Sequence, residues 1–358
     1  MAASIPTRHD LAGYEAYKTR NLLVCGVLAA LLLLIALLSL RAGSYDTPLT
    51  EIIKAIFGNA TDNKINTIVQ NMRLPRTLTA VIGGIGLGLT GCVLQAILRN
   101  PLASSSTLGI SQGAAFGAAF AIVVLGAGTQ GSAMAAMRFS DPFLISFCAF
   151  LCSMGVSMII LALSRFIKIT PEAMVLAGVA LSAMFQGATT LLQFFATEIE
   201  LTSVVFWTFG DLGRAGWNEI RIMAVVTLAA TIYFLFERWN FNALESGEQT
   251  AISLGVNVNR TRVINMTLSS LTASVIVSYL GLINFIGLVA PHIVRRFTGN
   301  NYIYLLPASA LMGAILLLLG DLAARLIVSP VILPIGAITS FAGAPLFLYL
   351  LFKGGRKK

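Results

Sequence analysis

The sequence predicts an all-α, polytopic membrane protein with ten transmembrane helices, built as a single domain over residues 1–358. Three observations carry that reading. The chain is 57% hydrophobic and only 11% charged, with a mean hydropathy of +0.85, whereas a soluble globular domain carries about 25% charged residues. Apolar runs of about 18 residues or more, the length that crosses a bilayer as a helix, recur from end to end. The lysines and arginines fall between those runs so that one orientation gathers most of them on one side. The net charge of +9 belongs to that orientation signal and gives no reason to expect a nucleic-acid partner.

Residues 1–21 are polar and mixed in charge, with Arg8, Asp10, Glu15, Lys18 and Arg20. A secretory signal has a short basic lead and a small-residue cleavage site, so this lead reads as a cytoplasmic tail. The first span covers about Leu22 to Leu40. After a mixed segment, the second starts behind Arg73-Leu74-Pro75-Arg76 and ends near Leu98. Its Gly84 and Gly88 form a small-xxx-small pair that lets helices approach closely, and Gly113 and Gly117 repeat the spacing in a third span after Leu108. A fourth span runs from about Phe143 to Leu163 and a fifth from about Ala173 to Phe195. A polar passage with Trp207, Asp211, Arg214 and Trp217 leads to a sixth, about Ile220 to Phe236.

Val263 to Val294 is mostly apolar and too long for one span of roughly 20 residues. Gly281 and Asn284 offer a break. Later spans cover about Tyr302 to Val328 and Leu333 to Phe352. Counting the long stretch once gives nine spans; counting it twice gives ten. With the N-terminus inside, ten spans place Arg295, Arg296, Lys353, Arg356, Lys357 and Lys358 in the cytoplasm, and nine place them outside. The positive-inside rule therefore selects ten, and Arg8, Lys18, Arg20, Arg99, Arg165, Lys168, Arg238, Arg260 and Arg262 agree.

The longest polar interval in the second half, 238–262, has helical grammar of its own. Ser246 can cap a short helix, with Gln249 as its capping-box partner. Ala251, Ile252 and Leu254 supply an apolar edge, and Gly255 is a plausible stop. A short helix pinned between two spans is something a soluble partner could push on; an ordinary surface loop is equally compatible with these residues.

Catalytic constellations do not emerge. The chain has no Gly-x-x-x-x-Gly-Lys-[Ser/Thr] run to cradle phosphate. Its two histidines, His9 and His292, are far apart in sequence. Cys25, Cys92, Cys148 and Cys152 all fall inside apolar runs, and Cys148 and Cys152, although on one helix face, are too few for a metal site. Intramembrane charge is sparse. Asp321 and Arg325 share a face four residues apart, as a functional pair or a local ion pair. So few buried charges argue against a proton-coupled transporter and for a path gated from outside the membrane.

Several motifs carry a resemblance: Arg73-Leu74-Pro75-Arg76, Arg99-Asn100-Pro101-Leu102-Ala103, Leu108-Gly109-Ile110, Leu176-Ala177-Gly178-Val179-Ala180-Leu181, Phe285-Ile286-Gly287-Leu288-Val289-Ala290-Pro291-His292, Gly320-Asp321 through Arg325, Leu333-Pro334-Ile335-Gly336 and Gly343-Ala344-Pro345. In this order they resemble the FecCD family, the permease subunits of type II ABC importers for iron-siderophores, haem and cobalamin. The likeness covers about residues 45 to 352.

The resemblance implies ten helices per subunit, a homodimer with the substrate path on its axis, two ATP-binding cassette subunits on the cytoplasmic side and a substrate-binding protein outside. It implies a prokaryotic plasma (inner) membrane protein with both termini cytoplasmic, no catalysis by this chain, no cofactor of its own, and ATP with Mg on the partner ATPase. Glu245, Ser246, Gln249, Ala251, Leu254 and Gly255 would form the coupling element that sits in the ATPase. The cytoplasmic gate would lie at Asn100, Pro101 and Leu102 and at Thr170, Pro171 and Glu172, where proline removes a helical donor. Arg73, Arg76 and Arg325 break the orientation rule; in the family, arginines at matching positions receive carboxylates of the binding protein. Gln193, Phe194 and Phe195 are candidates for the translocation path, with lipid or helix packing as their alternative. The expected cargo is a ferric siderophore, with haem or cobalamin next; a secondary transporter that needs no ATPase is the rival of another class.

Overall fold

The computed structural model describes residues 8–43, 47–128, 140–167 and 170–355. Lys168, Arg356, Lys357 and Lys358 of the orientation argument, and the first seven residues of the tail, lie outside them. Fourteen helices appear among the described residues, in the order α1 (Arg8–Arg41), α2 (Leu49–Ile56), α3 (Asn63–Ile68), α4 (Leu74–Ile97), α5 (Ile110–Val123), α6 (Pro142–Phe166), α7 (Pro171–Phe195), α8 (Glu198–Thr208), α9 (Trp217–Glu245), α10 (Glu248–Ser253), α11 (Val258–Leu280), α12 (Ile286–Thr298), α13 (Tyr302–Leu326) and α14 (Ile335–Gly355). A π-turn, Val69–Arg73, joins α3 to α4 into one rod. Seven of these rods are long and apolar enough to cross a membrane; α5 and the Ile335–Leu350 part of α14 are shorter apolar helices.

The helix starts follow local chemistry. Asp141 and Thr170 cap α6 and α7, each followed by a proline at the first helical position, where its missing N–H costs nothing. Asn257 and Asn301 cap α11 and α13 in the same way.

The centre of the bundle is α4, 83% of whose apolar window is buried. Small residues make that possible. A β-carbon on Gly84 would strike the backbone of Gly313 and Ala314, and one on Gly88 would strike Ser309. The expected close pair thus exists, and since Gly84 faces residues 313–314 while Gly88 faces 309, α4 and α13 run antiparallel. On α5, Gly113 meets Cys152 and Ser153 of α6 and Gly117 meets Cys148, again antiparallel.

The long apolar stretch resolves into two helices. Along α4, Gly83 meets Leu280, Gly86 meets Ile276, and the carbonyl of Ile97 accepts from Arg262. Along the same helix Gly91 meets Gly287, and Gln95 reaches Leu288 and Arg295. So α11 runs against α4 and α12 runs with it, and the chain reverses at Gly281–Phe285. The break expected at Gly281 and Asn284 is real, and it brings Arg295 back to the end that holds Arg262. α12, at 13 residues, rises about 20 Å, less than a bilayer core. Non-helical backbone at such depth survives only when covered by protein. The cover here is tight: Gly281 lies against the Trp207 carbonyl, Gly336 against Leu282 and Phe209, and the Gly336 amide donates to the Phe209 carbonyl at 2.9 Å.

The lead is helical: from Arg8 it is one helix with the first span, and Tyr17 donates to the Thr298 carbonyl at 3.1 Å. Two expectations need correction. Interval 238–262 is mostly helix, because α9 continues to Glu245 and α11 begins at Val258. And the polar passage before the sixth span holds α8, started by a Thr197–Glu200 capping box.

At the other extreme from α4, only 11% of the α7 window is buried. Leu176, Leu191, Phe194 and Phe195 on it are all exposed within one chain.

Candidate functional site

Most of the candidate residues gather near the two ends of α4, roughly 36 Å apart by helix rise. At the end where α4 finishes, α10 is a six-residue helix between two glycines of positive φ, Gly247 at 121° and Gly255 at 83°. Ser246 does not cap it. α9 runs more than two turns further than its apolar span, so Ser246 becomes its C-cap residue and its hydroxyl donates back to the Asn242 carbonyl at 3.3 Å. The joint then demands a positive φ, which glycine tolerates, and the cap position passes to Gly247 without a side-chain bond. Gln249 is exposed and has no capping role.

Of the expected apolar edge, Ala251 is fully buried while Ile252 and Leu254 are 54% and 68% exposed. The edge is therefore split: one methyl anchors α10 and two large side chains face outward. Glu245 is a strut. It accepts from Asn300 at 2.8 Å and Tyr302 at 3.3 Å, and Arg295 stands 3.9 Å away. Arg295 reaches Tyr302 at 3.2 Å and Gln95 at 3.5 Å, and Asn242 accepts from the Tyr302 amide at 2.8 Å. These contacts tie α9, α4 and the α12–α13 turn together. Sequence reasoning missed them; the signal was the polar pair Asn242 and Glu245 ending an apolar helix, but nothing local names its partners.

Just past the end of α4, Asn100 forms a side-chain turn, accepting from the Leu102 amide at 2.9 Å, after Arg99 at φ 46°. Pro101 and Leu102 are exposed. Thr170 accepts from the Ala173 amide, and with Pro171 it lines a cavity of about 630 Å³ shared with Glu248 and Arg262. The structure thus brings the second loop and α10 to one cavity, and Arg262 links that cavity to Ile97, two residues before Arg99.

The opposite end holds Arg73, Arg76 and Arg325, which were expected as exposed docking groups. They are turned inward instead. Arg73, 7% exposed, donates to the carbonyls of Leu40 and Arg41 at 3.0 and 3.3 Å. Arg325 donates to the carbonyls of Ser39 and Ala42 and to the Ser39 hydroxyl. A helix end leaves its last four carbonyls unpaired, and these guanidiniums satisfy those of α1. Asp321, fully buried, pairs with Arg325 at 2.8 Å and with Arg76 at 2.8 Å, and Arg76 also reaches Asp211 at 3.4 Å. The i, i+4 pair read from sequence is therefore one edge of a larger network.

Arg76 and Asp211 border a cavity of about 910 Å³ with Phe206, Phe209, Arg214 and Leu333. Arg214 lies over the Trp207 ring at 5.9 Å; burial draws its pKa down to about 10 against the pull of Asp211. Gln193, Phe194 and Phe195 end α7, the two rings in an edge-to-face pair 5.2 Å apart. Cys148 and Cys152 lie where α6 receives the glycines of α5, and Cys25 and Cys92 are elsewhere.

Comparison with known proteins agrees with this architecture. A protein of Methanocaldococcus jannaschii, provisionally described as an ABC transporter permease, is 48% identical over 340 residues, 95% of this chain and 97% of that one. The hemin transport system permease protein HmuU of Yersinia pestis is 34% identical over 336 residues, 92% of this chain and 96% of that one. Among solved structures, an inward-facing transporter provisionally described as a metal-chelate type ABC transporter superposes with a TM-score of 0.78 at 31% identity, over 92% of this chain and 99% of that one. The model of the FecCD transport family matches residues 31–353, and the chain belongs to that family.

Proposed function

We propose that this chain is the membrane-spanning subunit of an ATP-driven importer that carries a bulky metal chelate from a binding protein into the cytoplasm. A ferric siderophore is the first cargo to test, with haem or cobalamin next. The observation that carries the reading is α10, where two large apolar side chains, Ile252 and Leu254, project from the same end as Arg262 and Arg295. Exposed apolar groups on the basic, cytoplasmic side of a membrane protein suit a soluble partner's cleft. That partner supplies the ATPase activity and binds ATP and Mg; this chain hydrolyses nothing.

The reading includes ten crossings, both termini in the cytoplasm and a plasma-membrane location; the reversal at Gly281–Phe285 and the distribution of lysine and arginine support the even count. The unpartnered face of α7 supports a homodimer around a central path, with Gln193, Phe194 and Phe195 near its outer mouth. An apolar wall with few fixed polar contacts holds a large chelate weakly and releases it readily. Asn100, Pro101, Leu102, Thr170 and Pro171 form the inner gate. The cavity beside Arg76 receives one lobe of the binding protein, with Arg76, Asp211 and Arg214 among its lining.

Reconstitution tests the reading. The chain, a cognate ATPase and a binding protein in liposomes should import the binding protein's ligand only with ATP inside the vesicle-exposed ATPase compartment. Uptake by the chain alone, without ATPase or ATP, would establish the rival secondary transporter.

A further inference from the structure

We infer that Arg262 is the strut through which a displacement of α10 reaches the gate. The inference rests on the reading of α10 as the ATPase contact. Arg262 sits in the first turns of α11 and is 9% exposed. Its Nε donates to the Ile97 carbonyl at 3.3 Å, and its Nη2 lies 3.5 Å from Oε2 of Glu248, the first residue of α10. Ile97 is the last residue of α4, and Leu98, Arg99 and Asn100 follow directly. One planar side chain thus touches the start of the pushed element and the end of the helix that leads into the first gate loop. The second gate is on the same spot, since Thr170 and Pro171 line the cavity that Glu248 and Arg262 share.

The geometry of α10 makes the tie mechanical. Gly247 and Gly255 flank it at positive φ, which sets it off from α9 and α11 as a short unit of its own. Among the described residues its one ion pair to the rest of the chain is Glu248–Arg262. At 3.5 Å the pair is longer than the 2.7–2.9 Å of a tight charge-assisted bond, which leaves room to tighten when α10 moves. Arginine suits the role because its donors point in fixed, different directions, so one group can hold a carboxylate and a carbonyl together. Lysine offers a single point charge and cannot hold both in register. Arg262 is a positioning residue: it acts on the gate through Ile97 and touches no substrate.

The test uses the whole transporter, with its ATPase and binding protein, in liposomes, and reads ligand imported per ATP hydrolysed. Arg262→Lys and Glu248→Gln should each lower that ratio at least fivefold while the ATPase still co-purifies. The double variant should be little worse than either single one, because both break the same link. A merely structural role would reduce the yield of assembled complex and leave the ratio unchanged. Glu248 is 42% exposed at its side chain, so its variant reaches the membrane even if Arg262→Lys does not. A wild-type ratio in Glu248→Gln, or losses that multiply in the double variant, would overturn the strut alone. Import by the wild-type chain without any ATPase would instead overturn the reading of α10, and the strut with it.

Discussion

Arg76 and Asp321, 245 positions apart, meet with the Arg76 Nε donating to Asp321 Oδ1 at 2.8 Å, in a site where Asp321 is fully buried. Arg325 pairs with the other oxygen of the same carboxylate, also at 2.8 Å. One anion therefore bridges two cations, and with Asp211 beside Arg76 the network joins the start of α4 to the end of α13 and, through Arg325, to the end of α1. Removing that anion leaves Arg76 with the half-exposed Asp211 as its one carboxylate and Arg325 with neutral partners alone. Breaking a buried pair costs about 3–5 kcal/mol, so Asp321→Ala should lose stability on that scale, and Asp321→Asn, which keeps an acceptor, less. Thermal unfolding of the purified chain in detergent measures both; equal, small losses would mean that the network is dispensable.

How far the sequence speaks depends on the range of the physics. Gly84 and Gly88 announced a close helix contact because small-residue spacing is local, and only the partner, α13, had to come from the structure. The break at Gly281 was legible because length and charge jointly forbid one span. Asp321 and Arg325 lie on one helix face, so their pair was legible too; Arg76 joined them from another helix, and no local pattern encodes that. Ser246 misled because a cap depends on where the preceding helix ends, and α9 outran its apolar pattern. For α8 the signal was present as Thr-x-x-Glu at 197–200, but polar neighbours made the segment look like loop.

A contrast between two glycines checks the packing. Gly88→Ala would drive a methyl into the Ser309 carbonyl of α13, whereas nothing lies within 4 Å of a β-carbon on Gly155 in α6. Overpacking costs about 1–3 kcal/mol, while relieving a helical glycine of its flexibility gains about 0.5–1 kcal/mol. Gly88→Ala should thus lower the unfolding temperature and Gly155→Ala should hold or raise it. The same sign for both would contradict the α4–α13 contact.

Docking can be separated from folding at Arg76. Replacing it by glutamate would place a carboxylate against Asp321, so a loss of binding would be ambiguous. Arg76→Lys keeps the charge beside Asp321 but cannot also hold Asp211, at 3.4 Å in the wild type. An arginine fork can hold Asp321 and a partner carboxylate together, and a hydrogen bond of that charged kind to the partner is worth about 1.5 kcal/mol at the low end, or roughly tenfold in affinity. The variant should accumulate normally and bind the loaded binding protein about tenfold more weakly, and wild-type binding should weaken with salt. Titration of the binding protein onto immobilised transporter reads this. An unchanged affinity across the salt series would assign the arginines to the fold alone.

Leu254 and Ala251 divide the labour of α10: Ala251 is buried and Leu254 is 68% exposed. Burying an exposed leucine in a partner's cleft contributes about 1.5–3 kcal/mol, and putting an unpaired carboxylate there reverses that gain. Leu254→Asp should therefore leave the chain folded, with its unfolding temperature close to wild type, because nothing of its own core is altered. The same variant should release the ATPase during purification and abolish ATP-dependent import. Ala251→Asp forces a charge into the contact that seats α10 and should destabilise the chain itself, so the two variants separate a surface role from a core role. A Leu254→Asp transporter that keeps its ATPase and imports at the wild-type rate would move the coupling surface away from α10.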